Sequence, residues 1–163
     1  MKKFLFKDSG FYFDSSLFSK KERFGGHCPV ILDRDKNKLE IALGVYEERN
    51  RTYISRITME INIYKNKPHF SLLKQTIDEE FIKRGGVGSY SEYGIIPSSC
   101  IKLNNKIALF TIGFDSRNKS IFHVSSGLVY LDSKLKLIKH LPGPVLDRTP
   151  QDSCFSSSPC VFK

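Results

Sequence analysis

Three prolines, Pro29, Pro97 and Pro159, each open a short apolar run, and the residues beside them are the first places to look for side-chain chemistry. His27, Cys28 and Val30 surround the first proline, Ile96 and Ser98 the second, Ser158 and Cys160 the third. Imidazole and hydroxyl groups at such positions can exchange hydrogen bonds with a polar ligand. None of these residues is acidic, so a carboxylate acid or base is missing from them. The four thiols, Cys28, Cys100, Cys154 and Cys160, contain no Cys-x-x-Cys pair. Neither a zinc site nor a disulfide framework is expected, no cofactor is implied, and the cysteines read mostly as small reduced fillers.

The elements that would position these residues are written twice. RNRTYI at Arg49–Ile54 returns as RNKSIF at Arg117–Phe122, and the match runs without a gap from Pro29–Ile54 to Pro97–Phe122, an offset of 68 residues. Asn37/Asn105 and Lys38/Lys106 are identical, while Leu39/Ile107, Ile41/Leu109, Tyr46/Phe114 and Glu47/Asp115 keep their chemistry. Leu39, Ile41, Leu43 and Val45 alternate, which places them on one face of a strand. Asn37 and Asn105 suit tight turns because Asn tolerates positive φ.

Each copy therefore predicts an antiparallel meander whose third strand begins at Thr52 or Ser120, with Phe70–Leu73 and Leu135–Ile138 as fourth, outer strands. In TIDEEFIKRGG, Thr76 and Glu79 have capping-box spacing and predict a short helix ending near Gly85; GGVGSYSEYG then reads as a loop. SSPCVF at Ser157–Phe162 starts a third copy. A four-stranded repeat of this length has the size of a propeller blade.

At 163 residues the chain is the size of one domain, and 40% hydrophobic with 26% charged residues is the composition of a folded globular protein. Lys7, Asp8 and Gly10 interrupt any signal-peptide core, and no long apolar segment follows, so a cytoplasmic location without a membrane partner is expected. The net charge is +9, yet each third of the chain carries +3. A charge spread so evenly speaks for solubility and against a nucleic-acid groove.

The strings HCPVILDRDKNKLEIALGVYEER, GIIPSSCIKLNNKIALFTIGF (Gly94–Phe114) and LPGPVLDRTPQDSCFSSSPCVF (Leu141–Phe162) resemble five-bladed β-propeller proteins akin to the arabinanase/xylosidase and invertase/levansucrase glycosidases. The resemblance covers Gly26 to Lys163. It implies an all-β, incomplete five-bladed propeller: an extension at 1–26, blade one at 27–75, blade two at 94–140 and the first strand of a third blade at 157–163. It also implies three carboxylates on the innermost strands, of which two would flank the scissile glycosidic bond about 5–10 Å apart. The residues at the blade-opening prolines are not acidic, so no catalytic role is assigned.

The expected function is accordingly that of a carbohydrate-related, glycosidase-like propeller fragment without hydrolase activity. The alternative is an interaction module completed by a second copy or another chain, since an unfinished ring would leave an apolar blade face uncovered. Candidate sugar-binding or channel-lining residues are His27, Glu92, Ser98, Asp115, Arg148 and Ser158, with Tyr90, Tyr93 and Phe114 as rings for stacking. Plainer roles exist for several: a solvated loop carboxylate for Glu92, a turn residue for His27, a surface ion pair with Asp147 or Asp152 for Arg148, and a hairpin role for Arg49 and Arg117.

Overall fold

The computed structural model describes residues 26–47, 51–63, 70–115, 123–147, 149–151 and 158–162. They form eight strands and, among the described residues, no helix: β1 (Gly26–Asp35), β2 (Lys38–Glu47), β3 (Arg51–Ile63), β4 (Phe70–Ile82), β5 (Gly94–Leu103), β6 (Lys106–Asp115), β7 (His123–Asp132) and β8 (Leu137–His140). β1 to β4 pair antiparallel in chain order, and β5 to β8 do the same. A single parallel bridge, Thr52 to Gly94, joins the two meanders into one open sheet. A Cβ on Gly94 would lie 2.2 Å from Thr52 Oγ1, so the bridge forms only because that residue has no side chain.

The expected repeat appears in the strand bounds. β1 and β2 recur as β5 and β6 at one constant offset. The copies part company at the third strand: Glu47 faces Arg51 across its hairpin, whereas Asp115 faces His123, because the second connection is longer. The expected start at Ser120, and the paired residues Arg49, Asn50, Arg117 and Asn118, lie outside the described residues. The two-residue turns fall at Lys36–Asn37 and Asn104–Asn105 as expected. The positive φ, however, is carried by Asn104 at 48°, not by Asn105 or Asn37.

Two expectations are corrected. The segment from Thr76 to Ile82 is strand rather than helix, and β4 runs well past the expected blade end at residue 75. Its ladder partners on β3 decide this: Thr76 pairs with Thr58, Ile77 with Ile57 and Asp78 with Arg56. Arg56 also makes an ion pair with Asp78 at 3.0 Å and lies 5.0 Å from the centre of the Phe81 ring. A local capping signal yields to a continuous neighbouring edge. Likewise β8 begins at Leu137, not Leu135. Leu135 turns into the core with φ 62°, in a loop closed by Asp132 Oδ1, which accepts the Lys134 and Lys136 amides at 2.8 Å each. Residues 158–162 carry no strand, but the Pro159 carbonyl accepts the Ser98 and Ser99 hydroxyls of β5 at 2.9 and 2.7 Å.

The core lies between the meanders. Val30, Leu32, Ala42, Ile54 and Ile82 from the first pack with Ile95, Ile107, Leu109, Val129 and Leu131 from the second. On β2 the predicted alternation holds: Leu39, Ile41, Leu43 and Val45 share the opposite face with Tyr53, Ile57 and Met59. Ile107 and Leu109 are the repeat counterparts of Leu39 and Ile41. The front of the second copy is therefore laid on the back of the first, a heterologous contact. The leading strands also meet: Cys100 Sγ of β5 lies 3.1 Å from the Ile31 carbonyl of β1, and Lys102 pairs with Asp33.

An uncovered apolar face was the argument for self-association. Among the described residues, Leu43, Val45, Tyr53, Ile57 and Met59 in one cluster and Ile96, Ile112 and Val124 in another are at most 7% exposed, whereas Leu73, Leu137, Ile138, Val145 and Leu146 are exposed.

Tyr90 locks the loop between the meanders in place. Its ring lies across two glycines of the second sheet, where an added Cβ would stand 2.2 Å (Gly113) and 2.0 Å (Gly127) from ring atoms. Its hydroxyl reaches Thr111 Oγ1 at 2.9 Å and His140 Nε2 at 3.1 Å. Gly127→Ala is expected to destabilise the fold by about 1–3 kcal/mol through overpacking. Gly86→Ala, where an added Cβ meets nothing within 4 Å, serves as the near-neutral control, and urea denaturation of both variants distinguishes them.

Candidate functional site

A half-open cleft of about 550 Å3 lies between the start of β3 and the loop that leads from β4 to β5. Arg51, Lys83 and Arg84 face it together with Glu80, Glu92 and Tyr93, and the buried Tyr53 forms part of its floor. Each side chain is placed by a different local cause. Arg51 is the first residue of β3, opposite Glu47. Glu80 stands in a bulge of β4, where the register with β3 shifts between Ile54 and Arg56, and its φ is 52°. A non-glycine residue in the left-handed region costs of order 1–3 kcal/mol, and bulges redirect side chains at sites.

Glu92 closes the loop on itself: its Oε2 accepts the Gly88 amide at 2.8 Å, and its carbonyl accepts Arg84 Nη1 at 3.3 Å. Gly85 N donates to the carbonyl and hydroxyl oxygens of Ser91 at 3.1 and 3.2 Å. Lys83 lies 3.4 Å from Glu80. The Arg51 guanidinium has no ion pair or hydrogen bond to a described residue. The lining of the cleft thus holds three cations and two carboxylates, and among the described residues the guanidinium of Arg51 is without a partner.

Of the residues expected from sequence, Glu92 and Tyr93 are in this cleft. The other described ones lie elsewhere. His27 is stacked on Tyr46, with ring centres 4.7 Å apart and planes within 9°, and burial holds its imidazole below its ordinary value. Ser98 donates to the Pro159 carbonyl, and the neighbouring Ser158 is exposed with φ 58°. Cys28, which also precedes a proline, has φ 53°. Tyr90 is spent on the interior and Phe114 packs against Ile96, Ile112 and Val124. Arg148 lies outside the described residues. The thiols depart from the expected role: Cys28 and Cys160 are exposed, and of the three described only Cys100 packs against the core, where burial pushes its thiol up.

Asp115 is 1% exposed and turned toward protein. Its Oδ2 is 3.0 Å from His123 Nδ1. His123 Nε2 in turn lies 2.8 Å from Asp147 Oδ1, close enough for charge pairing but not aligned as a hydrogen bond. This row ties the ends of β6 and β7 to the segment in which Leu146 bridges Ser126. It is a clamp inside the sheet end.

A second hollow of about 240 Å3 is lined by Asp33, Asp35, Lys38 and Glu40. Several of its charges are already engaged: Lys38 pairs with Glu40 at 2.6 Å, Asp33 with Lys102, and Asp35 Oδ1 accepts the Lys36 amide at 2.7 Å. No group of three or more His, Cys, Asp or Glu side chains suited to a metal ion occurs among the described residues. Nor is any helix there long and apolar enough to cross a membrane. Comparisons with protein-family models, with curated proteins and with solved structures find no match.

Sequence reasoning missed Arg51, Lys83, Arg84 and Glu80 as members of one site. The available signal was the charged string DEEFIKR running straight into a glycine-rich loop, across from the first residue of a strand.

Two outcomes are expected. Asp115→Ala leaves the buried imidazole of His123 without its Nδ1 partner and should cost about 1–3 kcal/mol, read by chemical denaturation. His140, at Tyr90, is held by burial below its ordinary 6.5. The unfolded chain then takes up a proton near pH 6.5 that the folded chain still refuses, so stability falls as pH drops below that value and levels off below the folded pKa. Urea midpoints between pH 7.5 and 5 should show this decline, and His140→Gln should flatten part of it.

Proposed function

We propose that the protein is a non-hydrolytic saccharide-binding unit, built as two blades and the opening of a third from a five-bladed β-propeller of the glycosidase-like kind. The front-to-back stacking of the two meanders supports the propeller, in which each blade lays its front on the back of the one before it. So does the side-by-side placement of β1 and β5, the strands that would be innermost. The Pro159 carbonyl sits on Ser98 and Ser99, on the strand where a third leading strand would follow.

The observation that carries the binding role is the cleft of about 550 Å3, a volume suited to a small-molecule ligand, with Tyr93 as a flat surface and carboxylates and cations as hydroxyl partners. Both carboxylates are already engaged, Glu80 by Lys83 and Glu92 by the Gly88 amide. That arrangement fits holding a ligand better than passing a proton to a leaving group.

Titration of the isotope-labelled protein with a panel of oligosaccharides should move amide resonances of residues 83–93 and of Arg51 for at least one of them, and Tyr93→Ala should weaken that binding roughly tenfold, within the range of a stacking contact. A panel with no shifting resonance removes the binding role. Turnover of an aryl glycoside that vanishes in Glu92→Gln overturns its non-hydrolytic character.

A further inference from the structure

The cleft also carries information about the charge of what it holds. Its two carboxylates are satisfied locally: Glu80 by the Lys83 ammonium at 3.4 Å and Glu92 by the Gly88 amide at 2.8 Å. Arg84 is anchored to the Glu92 carbonyl at 3.3 Å. Arg51 is left as a guanidinium lining the cleft with no partner among the described residues. It is partly shielded from solvent at the start of β3, where a charge is screened less than on an open surface.

Resting on the saccharide reading of this cleft, we infer that its ligand is an acidic sugar bearing one carboxylate per bound residue, a hexuronate, with Arg51 receiving the carboxylate and Glu80 and Glu92 accepting hydroxyl protons. Three features select this class. The cation excess is one, which matches a single negative charge. The uncommitted cation is arginine, whose planar fork meets a carboxylate through two parallel hydrogen bonds. Two carboxylates in the same wall repel a dense polyanion such as a phosphodiester chain, but they accept from the hydroxyls of a sugar ring. The net charge of +9 is spread along the chain and does not by itself distinguish a carboxylate from a phosphate or a sulfate, so it takes no part in this choice.

The test compares galacturonate and glucuronate oligomers with the neutral galactose and glucose oligomers of equal length, and with sulfated oligomers and inorganic phosphate, by calorimetry and by amide shifts in the intact chain. Uronates are expected to bind at least tenfold more tightly than their neutral counterparts, with a preference that shrinks as salt is raised. Arg51→Gln should abolish the preference while leaving the unfolding midpoint in place, and Arg51→Lys should restore only part of it. Equal binding of neutral and acidic sugars overturns the inference and leaves the saccharide reading standing. Binding of none of the sugars overturns both. Tighter binding of sulfated oligomers, or shifts with inorganic phosphate equal to those with uronates, overturns the carboxylate assignment. An undiminished preference in a folded Arg51→Gln variant overturns the role of Arg51.

Discussion

The contact on which the rest of this structure depends is the dry interface between the back of the first meander and the front of the second. Only one bridge links the two ladders by backbone hydrogen bonds, so the meanders are held to each other mainly by buried apolar area. Each buried Ile, Leu or Val contributes about 1.5–3 kcal/mol on transfer from water, and ten such residues meet here with Tyr90 among them. Without that interface each meander would be a four-stranded sheet with two apolar faces, a form that cannot bury both alone.

The same interface creates the cleft. The chain leaves β4 at Ile82 and must cross to Gly94 to begin β5 beside Thr52. The crossing segment is fastened at its middle by Tyr90 on Gly113 and Gly127, so its charged ends are held over the start of β3. Arg51, Arg84 and Glu92 thus meet through the docking of two repeats, with the strained Glu80 aimed in from a bulge. Stability and the site share one cause: loosening Tyr90 would both open the core and move the wall of the cleft.

How much of this could be read from residue order varies with the range of the interaction responsible. Alternation at Leu39–Val45 and the repeated turns at Asn37 and Asn105 are consequences of backbone period and turn chemistry, and both meanders followed from them. The capping-box spacing of Thr76 and Glu79 is equally local, yet it misled, because the exposed edge of β3 offers that segment a full ladder of hydrogen bonds. Asp115 was legible as a special position by its match to Glu47 but not in its role. A carboxylate at a strand end reads as solvent-facing until His123, delivered by the longer connection, is seen to cover it. Glu92 and Tyr93 were legible because they lie beside the glycine that opens β5. Arg51 was not singled out, since sequence similarity marks a repeat and not the direction of a side chain.

By itself the sequence determined the all-β class, the two tandem meanders and the constant offset that relates β1 and β2 to β5 and β6, all set by periods of two and by short turns. Tertiary structure alone decided that the meanders stack front to back and that three cations and two carboxylates converge in one cleft. The physical reason is separation: strand and turn preferences act over a few residues, whereas burial and charge balance depend on which distant surfaces touch, and nothing in the local order of residues states that.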